Sequence, residues 1–167
     1  MADNMRERRK GQTMYTDFML SIVIFGIILV AGIKLMQTAY AKRTWNMDLQ
    51  QACRKAMRIS DYLIRNPGVP EYWSVGNVVM PGFASSDHIL NITKIKMFQE
   101  IPYNEERDLL GLGTYNFLIN ISYGKNELLL GEAPESNAQM LIAVTRFVYL
   151  LNASKLIPAK FMLEIWK

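Results

Sequence analysis

The sequence predicts an α+β protein: a long N-terminal helix, with a membrane half and an amphipathic half, packed against a small antiparallel β-sheet. Three observations predict it. Residues 18–33 (FMLSIVIFGIILVAGI) are apolar apart from Ser21, Gly26 and Gly32. From Trp45 to Leu63 apolar residues recur at spacings of 4, 3, 4, 3 and 4, the repeat of a helix with one narrow seam. From Tyr115 onward apolar residues alternate with polar or smaller ones, the period of a half-buried strand.

Length and composition bound the rest. At 167 residues the chain fits one ordinary domain with an extra helix and excludes most multi-domain enzymes. Half the residues are apolar and the net charge is only +4, which excludes intrinsic disorder. One Cys excludes an intrachain disulfide framework and a Cys-rich zinc site, and one His excludes a His-based metal cluster.

The first element is the apolar run. Sixteen helical residues span about 24 Å, short of the ~30 Å hydrocarbon core of a bilayer. Tyr15 and Leu35-Met36 extend it, so the membrane span is placed at roughly 15–36, with Lys34 able to snorkel. Arg6, Arg8, Arg9 and Lys10 precede it, which predicts a cytoplasmic N-terminus and an exported remainder. Three fates are open: a signal anchor, a secretory signal cut at Ala39-Tyr40-Ala41, or a leader cut before the apolar run. Lys10-Gly11-Gln12 favours the third.

The second element is the stem. Residues 42–65 contain no Gly or Pro, and Trp45, Leu49, Ala52, Ala56, Ile59 and Leu63 form the seam. The spacing predicts one unbroken helix from about Thr13 to Arg65, about 80 Å long, ended by Asn66-Pro67-Gly68. A cut at Ala41 would sever it, which argues against the secretory signal. An apolar half that leaves lipid for a bundle of identical helices exposes little new apolar surface. Gly26 and Gly32 would allow close helix contacts.

Arg8-Arg9-Lys10-Gly11-Gln12, followed by Asp17-Phe18 at the head of the apolar run, resembles archaeal type IV pilin-like proteins with a class III signal peptide. The resemblance implies a pilin-like fold and cleavage after Gly11 by a prepilin peptidase, leaving Gln12 as the new N-terminus. The family places an acidic residue at the fifth mature position, then an aromatic; here Thr16 is fifth and Asp17-Phe18 stands one place later. The implied assembly role of Asp17 is to pair with a neighbouring subunit's amino group. The residues alone leave two readings: a carboxylate that needs a partner at the lipid edge, or one that complements the helix dipole. Trp73 to Ala84, Leu109 to Phe117 and a closing strand ending in Trp166 extend the likeness.

These boundaries give a leader, 1–11, a stem, 12–65, and an exported head, 66–167. In the head, 66–88 predicts a Pro/Gly-rich loop with one short strand, Asn77–Met80. Lys94–Gln99 is a short helix or strand. Asn104 is placed as the cap of a second short helix with Gly111 after its end. Tyr115–Tyr123 is a strand, Gly124-Lys125-Asn126 turns it into Glu127–Leu130, and Met140–Leu151 reads as a central strand. Asn152 to Lys155 turns into Lys160–Trp166, giving about four antiparallel strands, one face of which should cover the seam.

Asn91, Asn120 and Asn152 head N-glycosylation sequons on the exported side, with Asn152 in a turn the best placed. Cys53 reads as a small packed residue or an intersubunit thiol. His88 stands alone in a polar loop, and Glu105, Glu106 and Asp108 read as a solvated helix face. The sequence carries no nucleophile elbow, phosphate loop, zinc motif or dinucleotide fingerprint, so neither an enzyme nor a cofactor is expected. Nucleic acid is not an expected partner either. Residues 1–11 hold four basic and two acidic side chains, 42–65 six and two, and 66–167 eight and ten. The basic excess therefore lies on the leader and the stem, not on an exposed basic head.

The leading expectation is a structural subunit of a type IV pilus-like surface filament. It would be a membrane precursor first and a filament, serving adhesion or a related task, afterwards. The resemblance implies as partners copies of itself or related pilins, a prepilin peptidase, an assembly ATPase and a membrane platform protein. The alternatives are an uncleaved single-pass ectodomain or minor tip pilin that binds a surface, and an enzyme freed at Ala41 with Lys42 as its N-terminus.

Overall fold

The computed structural model describes the backbone of residues 2–134, 136–153 and 155–167, and within these the side chains from Tyr15 onward. Helix α1 runs Ala2–Arg65. It begins before the expected Thr13: Gly11 costs a helix about 1 kcal/mol relative to Ala but does not break it. It ends where predicted, with the Asn66 N–H bonded back to the Tyr62 carbonyl ahead of Pro67. The chain divides into two compact units, residues 1–47 and 48–167, so the upper stem belongs with the head.

The second unit is α+β. After α1 come β1 (Gly68–Val69), β2 (Met80–Pro81), β3 (Ala84–Ser86), β4 (Ile89–Asn91), α2 (Ile92–Gln99) and α3 (Tyr103–Leu109). Four longer strands follow: β5 (Asn116–Tyr123), β6 (Asn126–Gly131), β7 (Leu141–Asn152) and β8 (Lys155–Trp166). β1 pairs with β2, and the other six form one sheet in the order β3-β4-β7-β8-β5-β6, antiparallel except for β4 on β7. The expected four strands thus become six, because β3 and β4 are three residues each and too short to show a period.

One face of the sheet and the upper stem share a core. Phe117, Ile119 and Ile121 of β5, Val144, Val148 and Leu150 of β7, and Phe161, Leu163 and Ile165 of β8 are buried with Ala52, Ala56, Leu63 and Ile64 of α1. The alanines let backbone approach backbone. Arg146, on the inner face of β7, donates to the Asp61 carboxylate of α1 at 3.1 Å. Lys55 donates to the carbonyls of Gly111 and Leu112 at 3.0 and 3.1 Å and stands over the Tyr115 ring.

Three local expectations are corrected. The short strand is Met80–Pro81, not Asn77–Met80, because Asn77 Oδ1 accepts from the Ser74 N–H at 2.6 Å and closes 74–77 as a turn. Pro102, not Asn104, precedes α3, and no side chain caps that helix. The hairpin turn is Gly124-Lys125 alone, since Asn126 already pairs with Tyr123.

The 66–84 loop is anchored by buried polar groups. Trp73 Nε1 donates to the carbonyls of Pro67 and Gly82, and Lys94 Nζ donates to those of Pro67, Glu71 and Ala84 at 2.6, 3.0 and 3.4 Å. Lys94 is 8% exposed; burial lowers its pKa, partly offset by the Glu71 charge. A side chain at Gly82 would run into the Asn66 carbonyl and the Gly68 amide, so only glycine permits this crossing. Lys94→Met, which strands three carbonyls, is expected to destabilise the head by roughly 2–4 kcal/mol in urea unfolding. A change under about 0.5 kcal/mol would contradict the anchoring role.

Candidate assembly helix

The candidate functional element is α1, because it changes environment along its length. Phe18, at 63% exposed, and Ile27, Ile28, Leu35 and Met36 all face outward, and none of the most apolar stretch is buried by the rest of the described residues. By length and composition this one helix could cross a membrane. Its polar groups are satisfied locally: the Ser21 hydroxyl donates to the Asp17 carbonyl at 2.8 Å and Thr38 to Lys34 and Leu35. Gly26 and Gly32 have nothing within contact distance of an added Cβ, so both stand on open surface. Asp17 is exposed beside Phe18. The leader site, Gly11 and Gln12, lies outside the described side chains.

The stem seam divides in the same way. Ala52, Ala56 and Leu63 are fully buried and Ile59 packs on the core, whereas Trp45 and Leu49 are 47% and 37% exposed. The sheet covers the seam from Ala52 onward. Ser60 and Ile64 are also buried, which widens the narrow stripe by one position on each upper turn. Cys53 is half-buried beside it, a free thiol.

The three sequons sit in different settings. Asn91 caps α2, its Oδ1 accepting from the Thr93 N–H at 2.9 Å. Asn120 is half-buried on β5, with Nδ2 donating to Glu127 at 3.2 Å and Oδ1 buried without a partner. Asn152 is exposed at the β7–β8 hairpin, but the third residue of its sequon, Ser154, lies outside the described residues.

His88 is less isolated than the sequence suggests. Its Nδ1 lies 3.0 Å from the Asp87 carboxylate, and its backbone links Ile64 of α1 to Tyr149 of β7. The acidic cluster splits: Glu105 and Asp108 face solvent, but Glu106 is 3% exposed, and burial pushes its pKa up to about 7. The helical spacing of Tyr103, Glu106 and Leu110 is the signal that could have found it, since it sets Glu106 on the inward side. Among the described residues no group of three or more His, Cys, Asp or Glu could hold a metal ion.

Glu106 gives a pH prediction. Its carboxyl holds its proton more tightly folded, pKa about 7, than unfolded, near 4.5. The stability that Glu106 contributes should therefore be full below pH 4.5, fall as pH rises toward 7 and level off above it. Glu106→Gln should flatten that slope and be more stable than the wild type at pH 8, read by urea unfolding at several pH values. Parallel pH profiles for the two proteins would contradict the assignment.

No family model, curated protein or solved structure matches this chain.

Proposed function

We propose that the chain is the structural subunit of a type IV pilus-like cell-surface filament, processed after Gly11 and assembled through α1. One observation carries the reading: apolar surface lies uncovered around a helix whose continuation is locked into an α+β head. Such a helix has two low-energy environments, lipid and a bundle of like helices. Passing from one to the other keeps the apolar surface dry throughout. The N-terminal Arg/Lys cluster orients the precursor with its head outside.

The reading supplies the partners. A prepilin peptidase removes residues 1–11, an assembly ATPase and a membrane platform protein drive extraction, and copies of this chain or related pilins receive it. Asp17, at the edge of the apolar run, neutralises the new amino group of a neighbour.

A second reading has its own support. Phe147 and Tyr149 are 81% and 51% exposed on the uncovered face of β7, two residues apart. Paired exposed aromatics suit a surface-binding module held on an uncleaved anchor, or a minor tip subunit.

Mass spectrometry of the surface fraction separates the two. The filament reading expects a mature N-terminus at Gln12 and expects Gly11→Val to abolish surface filaments. An intact N-terminus on the surface protein would overturn it, and Gly11→Val that leaves export and function unchanged would favour the anchored module.

A further inference from the structure

Two surfaces of opposite charge flank α3. On one side a groove runs between the upper stem, β2 and the end of α3. It comprises two cavities of about 540 and 380 Å³ that share Arg58, Ile59 and Leu110. Its wall is apolar, from Ile59, Tyr62, Met80 and Leu110, and its rim carries the exposed guanidiniums of Arg54 and Arg58, one helical turn apart. On the other side a cavity of about 390 Å³ is bounded by Val75, Val79, Glu105 and Asp108. Val79 is 66% exposed, and the two carboxylates lie three residues apart on one helix face. Among the described residues none of these four charged groups takes part in an ion pair.

Each surface thus joins apolar area to charges of one sign, Arg54 and Arg58 on the groove, where Lys55 also lines the wall, and Glu105 and Asp108 on the other face. Within one molecule, neither arginine is paired with either carboxylate. We infer that the acidic face of one copy, Glu105 and Asp108 with Val75 and Val79, docks on the basic groove of a second copy at Arg54 and Arg58. The apolar walls carry the stability of this contact, and the charges fix its register and exclude the reverse arrangement. A contact between two different patches of the same chain can repeat from copy to copy, as an open filament requires. The choice of occupant rests on the filament reading; the complementarity of the two faces does not.

The test uses the full-length chain in a Cys53→Ser background, with two differently tagged copies expressed together. One carries Met57→Cys at the groove, the other Val79→Cys at the acidic face, and a short bifunctional thiol reagent is applied to membranes and to sheared surface material. A cross-linked heterodimer is expected. Arg58→Glu in the first chain should lower its yield roughly ten-fold, and Asp108→Arg in the second should restore it. Limited proteolysis confirms that each variant keeps its fold. Filaments without the cross-link, or a cross-link indifferent to the charge exchange, would overturn the inference and leave the filament reading intact. A charge-dependent cross-link in membranes of cells that make no filament would uphold the contact and overturn the filament reading.

Discussion

Around residues 18–33, α1 presents apolar side chains on every side, and no other part of the described chain covers them. Each such Leu, Ile or Phe forfeits about 1.5–3 kcal/mol if left in water. The head has its own core, which closes on the stem from Ala52 onward. In the proposal that cover comes from lipid and then from other copies of the chain, and everything else proposed about this protein follows from that exchange.

The second half of α1 answers a different demand. A helix serving as both anchor and core element must let the sheet come close on one side only. Ala52 and Ala56 provide that approach, while Lys55 and Asp61 bind the α3–β5 loop and β7 through directed polar contacts. Buried Lys94 and Trp73 then hold the 66–84 loop by its carbonyls, where β1 and β2 alone are two residues each. A head with its own core on a helix with an uncovered end is the division of labour that the filament proposal uses.

Elements whose chemistry is local were legible in the sequence. The end of α1 at Asn66-Pro67, the inward triplet Phe117, Ile119 and Ile121, and the Gly124 turn each follow from a short-range rule. Others depend on distant partners. Nothing near β4 announces its parallel pairing with β7, and nothing near Lys94 announces the three carbonyls that receive it. The continuous apolar run of β7 read as a central strand, and β7 lies between β4 and β8 in the sheet. Its burial alternates, leaving Phe147 and Tyr149 outside, because an apolar run does not state which side is covered. Of the candidate assembly residues, the lower apolar helix and the seam were readable; the onset of cover at Ala52 and the burial of Glu106 depend on where the sheet and α3 dock.

The central claim is that the uncovered half of α1 finds its cover in other copies of the same helix. Electron cryomicroscopy of filaments sheared from the cell surface tests it most directly. The account expects a helical core built from residues 18–36 of many copies, with Gln12 as the first residue and the sheets displayed outward. Cells that present the head on the surface with residues 18–36 still in the membrane and no filament built from them would contradict it.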